Sequence, residues 1–428
     1  MKTYKGLFDD MVKPENIEEC FHEAAKRKNK RKDFAEIMRP ERKPGDDSPA
    51  PGCLQEHVEA LRTILIEETF VPPEHQKKTI NESACGKVRD ITIPAFKYEH
   101  VIHHCIIKQL QPIILHGLYE HALGSIPGRG CHDGKKTIEK WIARRKGKKF
   151  YVMKSDVRHC FDTEDVKVIE GKFRKIIKDE KFLRLMFAVL ECEAKPTLLE
   201  ELLAEIAEDS GAEMAALAAA SLMEDEEILR GLPLGFVTSH WVTHLNYKEF
   251  DHKMKEEWGA EDYMRYADDL VVFGRSKKEL HRIRKTAEEY LVTEMHQHMK
   301  RNWQVFRFEY EDKKAKTDGK KKKTRGRALD FMGFVFHYNR TTLRKSILKR
   351  SVRTAHRIAK KDRPTWYDAA RMISYMGWYD TTDTYDFFKE HIKPFVNIRR
   401  LRKISSQHSR KEQKEHDRMV QIAEHGQA

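Results

Sequence analysis

The stretch MRYADDLVVF, residues 264–273, holds two adjacent aspartates, Asp268 and Asp269, within a run that is otherwise typical of a buried strand. The pair has two interpretations. It is either a polar turn joining 263–266 to 270–273 in an ordinary two-stranded ribbon, or a hairpin that presents both carboxylates to a metal ion. Mg²⁺ favours such hard oxygen ligands together with substrate phosphates, and two ions about 4 Å apart can hold both oxygens of a phosphoryl transfer. Because this chemistry usually needs a further carboxylate from elsewhere, the rest of the chain tests the second interpretation.

The composition is that of a folded and basic protein. The chain has 428 residues, of which 39% are hydrophobic and 35% charged, and its formal net charge is +14. This length is enough for two or three lobes with a sizeable core, and the excess of positive charge predicts a polyanionic partner. No apolar run approaches the roughly 18 residues of a transmembrane helix, and the N-terminus has no apolar signal core. We therefore expect a cytoplasmic protein without a membrane partner.

The seven cysteines do not suggest a metal site. None forms a C-x-x-C pair, and the nearest approaches to a cysteine–histidine set are His103-His104-Cys105 and Cys131-His132. We expect ordinary reduced cysteines, with His103 and His104 packed or solvated.

Apolar periodicity and turn residues divide the chain into helical and strand-like segments. Helices are predicted at 14–38 (one or a pair), 54–66, 98–117 and 277–300, and strands at 87–94, 149–155, 305–311 and 329–336. Loops rich in Gly and Pro are expected at 41–52 and 124–130.

Charge is unevenly distributed along the chain. Residues 191–227 contain twelve acidic residues and one lysine, and they read as a helical segment that faces away from any nucleic acid. Residues 340–410 contain 18 Lys and Arg against 6 Asp and Glu, with aromatic and aliphatic residues between the charges. This favours a folded, basic helical lobe over a disordered arm.

The predicted strand at 149–155 delivers the further carboxylate, Asp156, and Phe161 follows five residues later. A strand-terminal aspartate also suits the cap of a helix beginning near Thr163, although Asp162 is better placed for that function. The spacing of Asp156 and Phe161, followed by Tyr266-Ala267-Asp268-Asp269, resembles the pattern of reverse transcriptases. Other segments resemble the same family in the same order, namely GKVRDITIP (86–94), GSIPGRG (124–130), GLPLGFVTSH (231–240), LDFMGFVF (329–336) and ISYMGWYD (373–380).

The resemblance is to compact bacterial reverse transcriptases of the retron, diversity-generating and phage-defence groups. It implies an α+β right-hand polymerase fold with fingers, palm and a helical thumb. The implied domains are an N-terminal basic helical extension (1–53), fingers (54–148), a palm (149–338) that includes the acidic segment 191–227, and a basic thumb with a C-terminal tail (339–428). Two positions depart from the family pattern: Leu234 stands where the family has glutamine, and His240 follows Ser239 where the family has glutamine or proline.

The resemblance also implies a two-metal site. Asp156 and Asp268 would bind two Mg²⁺ ions, with Mn²⁺ as an alternative and Asp269 assisting, and the predicted metal site also includes Val157.

The same resemblance implies a set of substrate-binding residues. Lys87 and Arg89, on one face of their strand, either contact the triphosphate or form a solvated strand face. Phe161 is a barrier to the ribose 2′-hydroxyl or a core residue. Gly235 would let the backbone approach the template or incoming base, and Ser239 belongs to the same substrate-binding loop. The lysine that protonates pyrophosphate is left unassigned, because 313–323 offers several.

The function implied is that of an RNA-directed DNA polymerase using an RNA template and dNTPs to make DNA. We expect it to act with a dedicated structured noncoding RNA in antiphage defence, with diversity generation and retron function as alternatives. A catalytically idle RNA-binding scaffold is the alternative of another class, and an RNA-templated RNA polymerase is disfavoured by Phe161.

Overall fold

The computed structural model describes residues 2–26, 28, 37, 53–82, 87–222, 228–311 and 324–425. Its strands are β1 (Gln76–Glu82), β2 (Lys87–Ile93), β3 (Ala122–Leu123), β4 (Tyr151–Asp156), β5 (Lys195–Thr197), β6 (Ile228–Arg230), β7 (Asp262–Tyr266), β8 (Asp269–Gly274), β9 (Gln304–Arg307), β10 (Tyr310–Glu311), β11 (Thr324–Arg325), β12 (Leu329–Phe331), β13 (Phe334–Phe336) and β14 (Thr341–Leu343). Its α-helices are α1 (Leu7–Met11), α2 (Pro14–Ala25), α3 (Cys53–Ile66), α4 (Val101–Leu115), α5 (Cys131–Arg144), α6 (Cys160–Thr163), α7 (Val166–Ile176), α8 (Glu180–Glu191), α9 (Leu199–Ser210), α10 (Ala212–Ser221), α11 (Val237–Asn246), α12 (Lys248–Glu256), α13 (Lys277–Glu294), α14 (Lys345–Ala359), α15 (Trp366–Tyr379), α16 (Tyr385–His391) and α17 (Ile398–His425).

A five-stranded sheet with the order β3-β7-β8-β4-β9 lies at the centre of the fold. Apart from the parallel pair β3–β7, neighbouring strands are antiparallel. Alternate side chains of β8 enter two different cores: Val271 and Phe273 pack with α5, β12–β14 and the C-terminal helices, whereas Leu270 and Val272 pack with α12 and α13. Because both faces are covered, the strand after the two aspartates is a continuous apolar run.

The segment 329–336 is a hairpin, so the prediction of one strand was wrong. Strands β12 and β13 pair Leu329 with Phe336 in a ribbon that β14 extends. The turn is formed by Met332 (φ 50°) and Gly333 (φ +85°), and a glycine favours the second of these left-handed positions.

Two helices are shorter than their apolar patterns predicted. Helix α4 begins at Val101 rather than at 98, after a distorted turn over 96–100, and α13 ends at Glu294 rather than at 300. The chain bends after α13, where His296 has φ 53°, and then runs past the end of β4, where Val157 and Met299 form a β-bridge.

The N-terminal helices are part of a large core. Ile17 and Phe21 of α2 are fully buried with apolar residues of α3, α4, α7 and α8. The described cysteines are free thiols, at positions 20, 105, 131, 160 and 192. Within the described ranges, no helix combines the length and apolarity that crossing a membrane requires.

Helices α9 and α10 form the acidic segment. They leave and rejoin the chain through the antiparallel ribbon of β5 and β6, and their apolar side packs with Val292 of α13. Residues 223–227 of this segment lie outside the described residues.

Candidate active site

Asp268 and Asp269 lie at the turn of the β7–β8 hairpin. Tyr266 pairs with Asp269, so Ala267 and Asp268 form the two-residue connection. Ala267 has φ 52°, a left-handed conformation that costs a non-glycine residue energy and is common in tight hairpins. Its amide donates to the Leu123 carbonyl at 3.0 Å, which fixes the turn against β3.

Asp156 is the last residue of β4 and the Cα partner of Asp269 across the sheet. The amide of Val157 donates to the Asp268 carbonyl at 3.2 Å, so the end of β4 is tied to the hairpin turn. The structure thus brings together three aspartates from two segments more than a hundred residues apart.

The proximity of these carboxylates is visible in the pKa of Asp269. Burial, together with the negative charges of Asp268 and Asp156, raises this pKa to about 6, although Lys154 acts in the opposite direction. Lys154 lies on the same face of β4 as Asp156, and its ammonium donates to the Asp330 carbonyl at 3.1 Å. A cation placed between the carboxylates would relieve their repulsion.

Lys300 supplies a positive charge to this cluster. Its ammonium forms an ion pair with Asp156 Oδ2, and its amide donates to the Asp156 carbonyl at 2.9 Å. Because α13 ends before residue 300, Lys300 is carried on the segment beside β4 rather than on a helix.

The cluster fits divalent cations in its donor chemistry. Within the described ranges, no set of three or more His, Cys, Asp or Glu side chains forms a ready metal-binding group. The carboxylate oxygens of Asp156, Asp268 and Asp269 are nevertheless the hard ligands that Mg²⁺ and Mn²⁺ take, and the ammonium of Lys300 already occupies a cation position against Asp156. Val157 has an apolar, fully buried side chain, so only its backbone could serve a metal.

A buried ion pair lies beneath the hairpin turn. Arg265 and Asp251 are both completely buried, and the guanidinium donates three hydrogen bonds of 2.7, 2.9 and 3.1 Å to the carboxylate. Arg265 Nη1 also donates to the Ala267 carbonyl at 3.1 Å, and the guanidinium lies over the Tyr247 ring. The strained turn is therefore supported from inside the protein.

Phe161 lies on α6 and is half-buried. Its ring packs edge-to-face against His240 with 5.1 Å between ring centroids, and it contacts the main apolar core. The Phe161 carbonyl accepts from the Leu232 amide at 2.7 Å, which attaches the 231–235 loop to this helix.

The 231–235 loop also packs closely on β2. Gly235 has φ +119°, and a Cβ there would lie 2.4 Å from Ile91 Cγ2 and from the Thr92 carbonyl oxygen. The Thr92 amide donates to the Leu234 carbonyl at 2.8 Å. The close approach that requires glycine is therefore made to β2.

The side chain of Ser239 lies inside the protein. It is almost fully buried, and its hydroxyl donates to the Pro233 carbonyl at 2.8 Å. The hydroxyl therefore has a partner within its own loop, and its role in substrate binding stays a prediction.

Lys87 and Arg89 belong to β2, as predicted. Lys87 pairs with Glu82 at the end of the β1–β2 ribbon, and its side chain lies outside the described part of the structure. Arg89 pairs with Ile80 and is half-buried. Residues 313–323, which contain the lysines considered for pyrophosphate, also lie outside the described residues.

Sequence reasoning missed three charged neighbours of Asp156, namely Lys154, Arg158 and Lys300. Arg158 donates to Asp209 of the acidic segment at 2.6 Å. Lys154 could have been found from the sequence, because residues two apart on a strand lie on the same face and Lys154 precedes Asp156 by two. The sequence around Lys300 carries no such signal, because the segment was interpreted as the end of a helix.

Comparison with known proteins agrees with this geometry. The family model described as reverse transcriptase (RNA-dependent DNA polymerase) matches residues 75–297, slightly more than half of the chain. Group II intron-encoded protein LtrA of Lactococcus lactis subsp. cremoris, and the same protein of strain MG1363, are each 27% identical over 150 residues. That match covers 34% of this chain and 23% of each relative, so the chain aligns with less than a quarter of their length.

Among solved structures, telomerase from Candida albicans in complex with a TWJ fragment of telomeric RNA has a TM-score of 0.41 at 10% identity, covering 76% of this chain and 57% of that one. Apo telomerase from Candida tropicalis, truncated from its C-terminal domain, has a TM-score of 0.39 at 12% identity, with coverages of 68% and 60%. The family model spans β1 through α13, including all three aspartates, and the α+β class and right-hand polymerase fold expected from the sequence agree with it. The chain belongs to the reverse transcriptase (RNA-dependent DNA polymerase) family.

Proposed function

We propose that the protein is an RNA-directed DNA polymerase that joins dNTPs to a primer on an RNA template. The observation that carries this proposal is the pairing of Asp156 with Asp269 across β4 and β8, with Asp268 in the adjoining turn. Family membership supports the same activity.

Asp156 and Asp268 would hold two Mg²⁺ ions, or Mn²⁺, with Asp269 and the backbone of Val157 assisting. Such ions, when bound, lower the pKa of the primer 3′-hydroxyl and neutralise the triphosphate. The chain's own contribution is to hold three carboxylates at one sheet edge, where burial and mutual repulsion favour a bound cation.

We assign the triphosphate to Lys87 and Arg89 of β2. This strand is attached to the 231–235 loop through Thr92 and Leu234, and that loop is attached to Phe161 through Leu232. The proposed triphosphate contacts and the proposed sugar barrier are therefore parts of one connected surface. Gly235 lets this loop lie against β2, and Ser239 keeps the loop closed.

The proposed partners are an RNA template, dNTPs, the DNA product and a dedicated structured noncoding RNA. We place the protein in the cytoplasm, in antiphage defence, with diversity generation and retron function as alternatives. The domain division proposed from the sequence is fingers at 54–148, palm at 149–338 and thumb from 339 onward. An idle RNA-binding scaffold is the competing function, and the three intact aspartates count against it.

Primer extension on a primed RNA tests the proposal directly. Asp268→Asn keeps the size of the side chain and removes its charge, so we expect a folded protein whose DNA synthesis falls by orders of magnitude. Asp330→Asn, at an exposed carboxylate paired with Arg344 at 2.6 Å, is the matched control and should retain activity. Near-wild-type, Mg²⁺-dependent synthesis by Asp268→Asn would refute the metal assignment, and absence of synthesis by the wild type would favour the scaffold.

A further inference from the structure

The acidic helices α9 and α10 contact the residues that flank Asp156. Asp209, near the end of α9, accepts a hydrogen bond of 2.6 Å from Arg158 Nη1. The same carboxylate oxygen lies 3.2 Å from His298 Nε2. Arg158 follows Asp156 by two residues, and His298 precedes Lys300 by two.

The two backbone segments that carry these partners are themselves joined. The Arg158 amide donates to the His298 carbonyl at 3.0 Å, and the Lys300 amide donates to the Asp156 carbonyl at 2.9 Å. The β-bridge between Val157 and Met299 lies between these two hydrogen bonds. We call residues 156–158 and 298–300 the flanking ladder. Asp209 holds one end of it, and the Asp156–Lys300 ion pair lies at the other.

The contact of Asp209 is not that of a solvated acidic face. Its side chain is 10% exposed and that of His298 is fully buried. Burial alone would raise the pKa of Asp209, yet the hydrogen bond and charge of Arg158, with a contribution from His298, hold the pKa below its ordinary value. The carboxylate is therefore ionised and directed at the flanking ladder.

Other contacts attach the same two helices to the protein. Arg230 pairs with Glu205 at 3.0 Å, Ser210 donates to Glu288 at 2.6 Å, and Lys285 pairs with Glu213 at 2.8 Å. None of these contacts involves the flanking ladder. Loss of the Asp209 charge should therefore leave the helices docked, which separates its effect on the ladder from docking itself.

We propose that Asp209 is a positioning residue for the polymerase site, acting through Arg158 and His298 on Asp156 and Lys300. The inference rests on the proposed function, and it assigns a role in the chemistry to a segment whose charge suggested a position away from the nucleic acid. By fixing one end of the flanking ladder, Asp209 sets the orientation of the Asp156 carboxylate at the other end. A small displacement of a reacting group lowers the rate strongly, whereas it changes ground-state binding little.

The test compares Asp209→Asn with Asp209→Glu in single-nucleotide incorporation on primed RNA. For Asp209→Asn we expect kcat to fall by about tenfold or more, with the KM for dNTP changed less than about twofold, and for Asp209→Glu we expect partial recovery. Glu213→Gln removes the ion pair with Lys285 on the same pair of helices and should leave kcat unchanged. An unchanged kcat in Asp209→Asn, or an equal loss in Glu213→Gln, would overturn the proposal.

Amide hydrogen exchange gives a second readout that does not depend on activity. The Arg158 and Lys300 amides should exchange faster in Asp209→Asn than in the wild type, and at the wild-type rate in Glu213→Gln. If the wild-type protein incorporates no nucleotide, the proposed function fails, and the exchange of these two amides still decides whether Asp209 orders the flanking ladder. Unchanged exchange in Asp209→Asn would overturn the positioning role.

Discussion

The ring of Phe161 is only half-buried. It contacts the apolar core and packs edge-to-face against His240. If the ring faces the sugar of the incoming nucleotide, a ribonucleotide 2′-hydroxyl would press against it. Overpacking of a tight site typically costs about 1–3 kcal/mol, which corresponds to roughly a five- to 150-fold preference for deoxynucleotides.

Phe161→Val should therefore remain folded and incorporate ribonucleotides more readily, because it removes ring atoms from a position that is only partly buried. The measurement is the ratio of dNTP to rNTP incorporation on one primed RNA. Phe173→Val is the matched control, since Phe173 is completely buried in the same core and should lose stability while keeping sugar selectivity. Unchanged discrimination in a folded Phe161→Val would place the barrier elsewhere and reopen the RNA-polymerase alternative.

At the residue scale, a candidate site residue could be predicted from the sequence only where the residues next to it mark it as unusual. Asp156, Asp268 and Asp269 could be identified as candidates because a carboxylate at the end of an apolar strand is unusual, and the structure brings them together. The contacts of Lys300 with Asp156 and of Asp209 with Arg158 could not be predicted, because each joins segments distant in sequence. Ser239 is the converse case, since the motif marked its position but did not reveal that its side chain is buried and bonded to Pro233 of the same loop.

At the scale of elements, the β7–β8 hairpin depends on a charge pair that the sequence pattern did not reveal. Arg265 and Asp251 are completely buried, and Arg265 also holds the strained Ala267 turn. Removing one partner from such a pair leaves an uncompensated buried charge, which typically costs 3–5 kcal/mol, whereas exposed pairs are worth about 0–1 kcal/mol.

Asp251→Asn is therefore expected to lower the free energy of unfolding by about 3–5 kcal/mol, measured as a lower midpoint of urea unfolding. Glu261→Gln breaks the exposed pair with Arg275, whose atoms lie 3.7 Å apart, and should change the same free energy by less than about 1 kcal/mol. Equal effects of the two substitutions would mean that the buried pair is not what supports the hairpin.

Element lengths were less predictable than element types. The apolar pattern gave the strands β2, β4, β7 and β8 closely, but it extended α13 through residue 300 and merged β12 with β13. In both cases the pattern of apolar residues continued across a change of backbone direction. At 332–333 that change is made by two left-handed residues, which periodicity alone does not register.

At the scale of the whole molecule, the basic C-terminal region presents a row of exposed cations on one helix face. Helix α14 buries Ile347, Ala355 and Ile358 and exposes Lys345, Lys349 and Arg353 at intervals of four residues. These three cations lie on one face of the helix, as residues i and i+4 do. They are candidates for contacts with a nucleic-acid backbone.

We expect the purified protein to carry RNA and its affinity for RNA to fall steeply with salt. Replacing Lys345, Lys349 and Arg353 with Gln should reduce the slope of log affinity against log salt by roughly 2–3, because each phosphate contact contributes about 0.7–0.9. The matched control replaces Arg275, Lys277 and Lys278 with Gln and should leave the slope unchanged. These residues come directly after β8, at the end of the strand opposite to Asp269. RNA-free protein whose affinity is insensitive to salt would contradict the prediction.

The ribbon of β5 and β6 also determines how freely the length of the segment that contains α9 and α10 can change. Lys195 pairs with Arg230 and Thr197 with Ile228, so the two ends of the intervening segment are neighbours in space. A stretch whose ends already meet can be lengthened or shortened at a small cost in chain entropy, and the order of strands in the central sheet does not change. The acidic helices can therefore change in length without altering the path of the rest of the chain, so their contact with Arg158 is independent of the topology of the central sheet.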